Sequence, residues 1–459
     1  MKSSFALLFL CVAAATASDY RTGIASLVIT PEGPIRLSGY ASRKHPSDGV
    51  VQDLKARALV IEDKQGHRAA IVTTDVIGLP RSITDVVSAR VQKDYGLDRS
   101  GLVINSIHTH TGPVIANNLD IMFDLTPEER AAIQRYSSKL TDDLVMLVGM
   151  AIQNLAPAQL AFASGEANFA VNRREPGPKG IKIGVNPAGP TDPEVPVLRV
   201  SAPDGSLRAI LFGYACHNTT LTGDFYKISG DYAGFAEAGI EKAHPGAVAM
   251  FMELCGADQN PNPRGTLELA ERHGRDLAAE VMRVASGNMR RVEGPVRGAF
   301  QIVDLPFAYH TRDMFEARLH DKDPIRVRHA QAMLRTYDER CPIRSYPYPV
   351  QAIQFGKEVT LLALGGEVVV DYCLRARQEF GSKGLIVAGY SNDVMSYIPS
   401  LRVLKEGGYE ASDSMIYYGL PGPYSEEVED RIFGSIRQVM KRVGRKPVKP
   451  SAPSLPPAR

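Results

Sequence analysis

Two histidines separated by one residue, His108 and His110, are the residues in this sequence whose types and spacing most suggest chemistry. They follow an apolar run at residues 102–104, which is typical of a buried strand, and precede the turn signal Gly112-Pro113. Side chains two positions apart in an extended chain point to the same face, so we expect both imidazoles to face one cavity. Imidazole is a common metal ligand and a common general acid or base, although this pair alone also fits a surface loop.

Further polar residues stand at the ends of other predicted strands. Three stretches, beginning near residues 68, 208 and 359, contain a strand, a polar loop, a helix and a second strand. Strands separated by helices favour parallel pairing, and ligands of open α/β sheets bind at the carboxyl ends of such strands. We therefore predict an α/β fold with mixed, largely parallel sheets, flanking helices and a metal site at the strand carboxyl ends. The candidate residues at these ends are Asp75, His108, His110, His217, Asp258, Asn260, Glu367 and Tyr397.

The residue types at these strand ends fit a catalytic zinc site. Two imidazoles, a carboxylate and one further oxygen would leave a position open for water. Such an ion lowers the pKa of its water to about 7 and polarises a carbonyl, while a neighbouring histidine could move protons and an arginine could hold the substrate.

Several candidates also have a structural interpretation. Glu367 precedes a predicted helix and could cap it, Tyr397 could be a core tyrosine, and Asp231 is expected to cap a helix. The Pro- and Gly-rich residues 176–193 are expected to form a loop that could cover the crevice. The other histidines are expected to be solvated in loops or charged helices: His45, His67, His244, His273, His310, His320 and His329.

The chain has 459 residues and a formal net charge of +2, which gives no indication of nucleic acid or an anionic membrane as a partner. Lys2, the apolar residues 5–15 and a small-residue pattern at 15–17 are typical of a secretory signal peptide cleaved near Ala17-Ser18. The apolar run is too short for a membrane span, and no later segment is apolar enough. We predict a secreted or periplasmic protein with a signal peptide at 1–17, a catalytic domain at 18–440 and a disordered basic tail at 441–459.

Four cysteines remain after the predicted cleavage: Cys216, Cys255, Cys341 and Cys373. Export would allow disulfides among them, and the sequence does not choose between the three pairings and buried thiols.

Residues 106–113, with the sequence SIHTHTGP, resemble the THTHSGP signature of the neutral, non-lysosomal ceramidases, which are zinc amidases. Further similar elements follow in the same order: Asn172-Arg173, His217-Asn218, residues 229–234, Gly366-Glu367 and residues 390–398. The resemblance implies His110 and Arg173 beside the metal, acting on the substrate and transition state. It implies four zinc ligands: His108, His217, Glu367 and Tyr397.

Two departures from the family pattern concern the substrate. Where the family pattern Gly-Asp-x-Ser-Pro-Asn has a serine, this chain has Asn260, and an asparagine cannot be acylated in a nucleophilic role. Zinc-bound water is therefore the expected nucleophile. The ceramidases also carry an immunoglobulin-like C-terminal domain, which we do not find in this sequence. Both departures leave the substrate open between ceramide and another N-acyl compound.

These observations predict an exported, zinc-dependent hydrolase of the ceramidase-like class that cleaves an amide bond in a small-molecule or lipid substrate. In this prediction the metal and Tyr397 stabilise the oxyanion, and His110 assists proton transfer. One alternative is a zinc hydrolase that cleaves a different bond, such as an ester. Another is a non-catalytic, metal-containing binding protein. Peripheral membrane contact and the oligomeric state stay open.

Overall fold

A computed structural model describes residues 19–448, so the predicted signal peptide and its cleavage position lie outside the described residues. The strands in the described range are β1 (Tyr20–Val28), β2 (Gly49–Val50), β3 (Lys55–Asp63), β4 (Arg68–Thr74), β5 (Leu102–Ser106), β6 (Ala156–Glu166), β7 (Ala170–Gly177), β8 (Gly180–Asn186), β9 (Glu194–Ser201), β10 (Leu207–Tyr214), β11 (Lys227–Ile228), β12 (Val248–Glu253), β13 (Gln259–Pro261), β14 (Arg290–Val292), β15 (Val296–Pro306), β16 (Ser345–Phe355), β17 (Val359–Leu364), β18 (Glu367–Val368), β19 (Leu385–Ala388) and β20 (Tyr397–Ile398).

The helices flank these sheets and bury one side each. The first of them buries Ile83, Val87 and Val91, which are spaced by one helical turn, and it ends where Gly96 takes a left-handed conformation. The helices in the described range are α1 (Arg81–Tyr95), α2 (Pro127–Gln153), α3 (Asp231–Ala243), α4 (Leu267–Ala285), α5 (Arg312–Glu316), α6 (Pro324–Asp338), α7 (Val370–Phe380), α8 (Leu401–Glu406) and α9 (Val428–Val443).

The predicted mixed α/β fold with flanking helices is confirmed, but its sheets are less parallel than the sequence suggested. The largest sheet runs in the order β12-β10-β9-β6-β1-β3-β4-β5, with β14 joined to β6, and a second sheet runs β15-β16-β17-β19. Many neighbours pair antiparallel, including β3 with β4, β6 with β9 and β15 with β16. Short connections explain part of the difference, because tight turns join the antiparallel pairs β3–β4, β9–β10 and β16–β17, whereas a parallel pair needs a long crossover.

The longer parallel pairs occur where a helix connects two strands. β4 pairs with β5 across α1, β10 with β12 across α3, and β17 with β19 across α7. Each pair lies at the edge of its sheet. These pairs coincide with the three strand–helix–strand stretches predicted from the sequence, so the strand ends that carry polar residues belong to sheet edges.

One buried amide joins the ends of three of these strands. The side chain of Asn105, in β5, donates to the carbonyl of Glu253 at 3.2 Å and to the carbonyl of Gly389 at 2.9 Å. Its oxygen accepts from the backbone N–H of Glu253 at 3.0 Å. Glu253 ends β12 and Gly389 follows β19, so Asn105 holds the carboxyl ends of the three parallel pairs against one another.

The expected loop at residues 176–193 is largely a hairpin. Strand β7 continues to Gly177, and β8 pairs with it antiparallel from Gly180 onwards. Proline and glycine mark the short turn between the strands, whereas Ile181, Ile183 and Val185 alternate as in a strand, a pattern that the loop prediction overlooked.

Three histidines expected to be solvated are buried: His273, His310 and His329. Their Nε2 atoms lie 2.7–2.8 Å from backbone carbonyl oxygens of Pro263, Ile343 and Leu420, respectively. A neutral imidazole that donates one hydrogen bond can be buried in a polar stretch, which explains why the charged sequence around these residues was misleading.

The ordered part of the chain continues beyond residue 441, where the sequence analysis placed the start of a disordered tail. Helix α9 continues to Val443, and the Arg445 guanidinium donates to the carbonyls of Phe380 and Gly381 at 3.0 and 2.8 Å. Arginine stems and guanidinium groups can pack on a protein surface despite their charge, so basic composition alone placed the boundary too early. Residues beyond 448 lie outside the described range.

The cysteines of the described range are free thiols. Cys216, Cys255 and Cys373 are buried, and burial raises the pKa of each of these thiols well above its ordinary value, whereas Cys341 is exposed. Three of the four cysteines are therefore buried thiols, which was one of the alternatives that the sequence left open.

Within residues 19–448, no helix combines the length and the apolar character needed to cross a bilayer.

The Asp63 carboxylate ties the turn between β3 and β4 to the second sheet. It accepts hydrogen bonds of 2.8–2.9 Å from the backbone N–H groups of Gln65, His67 and Val296. We expect Asp63→Ala to lower the free energy of unfolding by about 1–3 kcal/mol, because a buried N–H without an acceptor costs about that much. Urea denaturation measures this loss, and Gln65→Ala, in the same turn with an exposed side chain, should stay within about 0.5 kcal/mol of wild type. Equal stability of the two variants would contradict this structural role of the Asp63 carboxylate.

Candidate metal centre

The two histidines of the H-x-H pair converge, but not through an extended strand. Strand β5 ends at Ser106, and His108 has a left-handed conformation with φ of 65°. The backbone N–H of His108 donates to the carbonyl of Val76 at 3.0 Å, which fixes this turn. The Nε2 atoms of His108 and His110 lie 3.1 Å apart. The prediction that both imidazoles face one site therefore agrees with the geometry, while the predicted backbone conformation was wrong.

Backbone carbonyls fix the tautomers of two histidines. The Nδ1 atom of His108 lies 2.6 Å from the carbonyl oxygen of Ile77, and Nδ1 of His217 lies 2.8 Å from that of Gly256. A carbonyl oxygen only accepts, so both imidazoles carry a proton on Nδ1. Burial, followed by Arg173, lowers the pKa of His217 to about 3, which keeps this imidazole neutral. The Nε2 atoms consequently present lone pairs to the centre.

Glu367 and Tyr397 enter the centre from a pair of two-residue strands. β18 and β20 are parallel and place Glu367 directly opposite Tyr397. Gly366 just before them has φ of 72°, and a Cβ there would lie 2.7 Å from the carbonyl of Ser396, so this close approach requires glycine. The Oε2 atom of Glu367 is 3.1 Å from Nε2 of both His108 and His217.

The Tyr397 hydroxyl completes the group of donor atoms. It lies 3.2 Å from Nε2 of His217 and accepts a hydrogen bond from Nη2 of Arg173 at 2.9 Å. Burial raises the pKa of Tyr397 well above its ordinary value, with the Arg173 charge opposing this effect. A cation at the centre would oppose it further, because positive charge stabilises a phenolate.

The donor atoms fit a metal ion. The Nδ1 protons of His108 and His217 are held by backbone carbonyls, so neither ring donates a proton to the Glu367 carboxylate. An ionised oxygen then faces two nitrogen lone pairs at 3.1 Å, an arrangement that is repulsive until a cation lies between them. Donors about 2.0–2.2 Å from a tetrahedral zinc ion lie roughly 3.3 Å apart, close to the distances observed.

His110 differs from the other two imidazoles. Its Nδ1 is buried and makes no hydrogen bond within the described residues, and a Cβ on the adjacent Gly39 would lie 2.3 Å from it. No carbonyl fixes its tautomer, and its side chain reaches the surface while those of His108 and His217 are buried. Burial and the neighbouring imidazoles lower the pKa of His110 well below its ordinary value. Nitrogen atoms of all three histidines lie within 4.8 Å of one another, so they too could hold a metal ion.

Arg173 is positioned by Glu410, which the sequence analysis did not identify as functional, and by Asn260, one of the strand-end candidates. Its Nε donates to Glu410 at 2.7 Å, and its Nη1 donates to the side-chain oxygen of Asn260 at 3.3 Å. Glu410 also accepts from Arg174 at 2.8 Å, and the two guanidinium groups outweigh burial, so the pKa of Glu410 lies below its ordinary value. Asn260, at the position of the family serine, therefore orients this arginine.

The remaining strand-end carboxylates have structural partners. Asp75 forms an ion pair with Arg57 at 2.9 Å. Asp258 accepts from the backbone N–H of Val370 at 2.9 Å. Asp231 is the first residue of α3 rather than its cap, and its carboxylate accepts from the backbone of Leu221 at 2.8 Å. The structure brings together six predicted site residues: His108, His110, Arg173, His217, Glu367 and Tyr397.

Tyrosines surround this centre, and the sequence analysis missed them. The Tyr418 hydroxyl donates to Oε1 of Glu367, and the ring centroids of Tyr390 and His108 are 4.5 Å apart. The Tyr40 ring lies 5.0 Å from that of His110, and the Tyr409 ring lies 5.2 Å from that of Tyr397. The only signal for two of them was the tyrosine-rich stretch after β20, at residues 409–418, because tyrosine by itself is usually a core residue.

The buried contacts of Glu410 give a prediction for stability. Glu410→Gln should lower the free energy of unfolding by about 1.5–3 kcal/mol, because the amide keeps one acceptor oxygen and turns its NH₂ towards a guanidinium. Urea denaturation measures the change. Glu406→Gln is the matched control, since Glu406 also meets Arg174, at 3.0 Å, but is 33% exposed, and its loss should stay below about 1 kcal/mol. A larger loss at Glu406 would contradict this prediction.

Residues 20–303 match the family described as neutral/alkaline non-lysosomal ceramidase, N-terminal, and this match covers more than half of the chain. The chain belongs to this family. The predicted family is thus confirmed. Within the matched region lie His108, His110, Arg173 and His217, whereas Glu367 and Tyr397 lie beyond it, so the case for these two depends on the contacts described above.

Neutral ceramidases from several organisms match between one half and three fifths of the sequence. The protein from Pseudomonas aeruginosa is 27% identical over 283 residues, covering 57% of this chain and 41% of that protein. Neutral ceramidase A from Dictyostelium discoideum is 24% identical over 268 residues, covering 54% of this chain and 37% of that protein. The matches therefore span about two fifths of the length of these relatives. A crystal structure of the Pseudomonas aeruginosa neutral ceramidase shares the fold, with a TM-score of 0.71 at 22% identity over 95% of this chain and 76% of that one.

Proposed function

We propose that this protein is a zinc-dependent hydrolase that cleaves an N-acyl amide bond. The observation that carries the proposal is the convergence of an ionised carboxylate oxygen and two fixed imidazole lone pairs at 3.1 Å. Membership of the neutral/alkaline ceramidase family supports an amide as the scissile bond. The names of the relatives make ceramide the first substrate to test.

Four residues would hold the ion in this proposal, and two others would act on the substrate. A bound zinc ion supplies polarisation of the substrate carbonyl and lowers the pKa of water to about 7. His110 would take a proton from the attacking water and give it to the leaving nitrogen, because it is the histidine whose tautomer no carbonyl fixes. The ligands are Nε2 of His108, Nε2 of His217, Oε2 of Glu367 and the phenol oxygen of Tyr397.

Arg173 has a second task in this scheme. Its Nη2 contacts the Tyr397 oxygen, and Glu410 and Asn260 hold the rest of the guanidinium. Positive charge fixed beside the phenol favours negative charge on nearby oxygens, so Arg173 and Tyr397 together stabilise the oxyanion that develops from the carbonyl. Asn260 offers no nucleophilic atom at the position of the family serine, in agreement with water as the attacking group.

The proposal extends to the compartment and the extent of the catalytic unit. A signal peptide at residues 1–17 would export the protein, and residues 18–440, together with the last turn of α9, would form one catalytic domain. Edman sequencing of protein recovered from the medium or periplasm tests the cleavage position near Ala17-Ser18. A chain recovered there that still begins at Met1 would contradict the cleavage, and protein found only inside the cell would contradict export.

Turnover before and after removal of metal tests the proposed function. Protein stripped with a chelator should lose activity on a short-chain ceramide or another N-acyl substrate, and one equivalent of Zn²⁺ should restore it. An ester with the same acyl group serves as the comparison, and kcat/KM should be higher for the amide. No turnover of any N-acyl substrate by zinc-loaded protein would contradict the proposal. A higher kcat/KM for the ester would indicate an ester hydrolase instead.

A further inference from the structure

The two carboxylate oxygens of Glu367 have different partners. Oε2 faces the imidazoles of His108 and His217 at 3.1 Å, whereas Oε1 accepts a hydrogen bond from the Tyr418 hydroxyl. We propose that Tyr418 is a positioning residue that commits Glu367 to binding the metal through one oxygen only. This inference rests on the proposed function, because it assigns Tyr418 a role in the same metal site.

The backbone alone does not decide which oxygen of Glu367 faces the centre. β18 has only two residues, and its pairing with β20 fixes the Cα of Glu367 but leaves three side-chain torsions free. A carboxylate that turned both oxygens to the ion would use the position that a catalytic zinc site keeps open. The hydrogen bond from Tyr418 occupies Oε1 and so prevents this arrangement.

Packing fixes the place of the Tyr418 hydroxyl. The ring packs against two hydrophobic clusters, one that includes Val368 and Met415 and another that includes Ile77 and Val114. The carbonyl of Ile77 also holds Nδ1 of His108. One cluster therefore contributes to the orientation of two proposed ligands, directly at His108 and through Tyr418 at Glu367.

The adjacent Tyr417 provides a contrast. It is also partly exposed, and its ring lies 6.3 Å from that of Tyr409, but its hydroxyl makes no hydrogen bond within the described residues. Two neighbouring tyrosines thus differ in one feature that matters for the metal, the hydrogen bond to Glu367.

The test compares the zinc affinities of Tyr418→Phe and Tyr417→Phe. Phenylalanine keeps the ring packing and removes one hydroxyl. Competition with a chelator of known affinity should show a 10–100-fold weaker affinity for Tyr418→Phe, because residues that orient metal ligands typically contribute that factor. Tyr417→Phe should stay within about twofold of wild type. Thermal unfolding of the metal-free proteins checks that both variants are folded.

A double-mutant cycle with Glu367→Gln shows whether the effect passes through the carboxylate. If Tyr418 acts by holding Oε1, then Tyr418→Phe should change the zinc affinity of the Glu367→Gln protein by less than about twofold. An unchanged affinity of the single variant Tyr418→Phe, or an equal loss in both backgrounds, would overturn the inference and leave the proposed function standing. A wild-type protein that binds no zinc would overturn both.

Discussion

Alanine at His217 or at His108 is expected to lower the affinity for zinc by more than about 100-fold. Each imidazole carries its proton on Nδ1, held by a backbone carbonyl, and offers the Nε2 lone pair to the centre. Loss of a group that merely orients a ligand already costs 10–100-fold, so loss of the ligand itself should cost more. Metal analysis after dialysis against a weak chelator should find wild-type protein with one equivalent of zinc and both variants nearly empty.

Two controls accompany this experiment. His320→Ala removes an exposed histidine and should leave the zinc content unchanged. His217→Gln retains much of the side-chain volume, so it separates the loss of a nitrogen donor from the effect of a cavity in the buried centre. Full zinc occupancy in His108→Ala and His217→Ala would refute the proposed ligands.

Alanine at His110 should give a different result: the variant should retain zinc, and its kcat should be about 10²–10⁴-fold lower than that of the wild type. The Nε2 atom of His110 lies 3.1 Å from that of His108, but no carbonyl holds its Nδ1, as expected for a group that exchanges protons rather than binding metal permanently. Metal content and steady-state kinetics on the same preparations measure both properties.

This second prediction separates two ways of holding an ion. If the three histidines alone bind it, as their mutual distances of up to 4.8 Å allow, His110→Ala should lose zinc as His217→Ala does. If Glu367 and Tyr397 complete the site, His110→Ala keeps zinc and loses turnover. Undiminished activity of His110→Ala would contradict its role in proton transfer.

Asn260, at the position where the motif resemblance places a serine, has a role within the site. Asn260 accepts from Arg173 and lies 3.4 Å from the hydroxyl of Thr219, so it belongs to the set of groups that surrounds the arginine. A side chain at this position can therefore influence the oxyanion without forming a bond to the substrate. In the proposed mechanism this residue aids orientation, and the attacking oxygen comes from water.

Much of the local structure was predictable because its signals are local. Apolar runs and helical spacing predicted the three strand–helix–strand stretches to within a few residues. Polar residues such as His108 and His217 stood out because each follows directly after an apolar run that predicts a buried strand. Hydrophobic periodicity reflects which side of one element is buried, and the sequence contains that information directly.

Selection among the candidates depended on contacts between distant parts of the chain. Asp75 and Asp258 also follow strands, but Arg57 and the backbone of Val370 engage them, and no local pattern distinguishes them from Glu367. Asn105 joins three strand ends, and Tyr418 reaches Glu367 from a different segment. Each of these contacts has partners that are set by how whole sheets pack.

The sequence by itself therefore determined the strand–helix–strand elements that lead to the centre, the residue types available for chemistry and, through its motifs, the family. Only the tertiary structure decided that the sheets are mostly antiparallel, that His108 turns into the site through a left-handed residue, and which donor atoms meet. The physical reason is that hydrophobic patterning acts over one or two turns of chain, whereas the position of a donor atom to within a fraction of an ångström results from the packing of elements hundreds of residues apart.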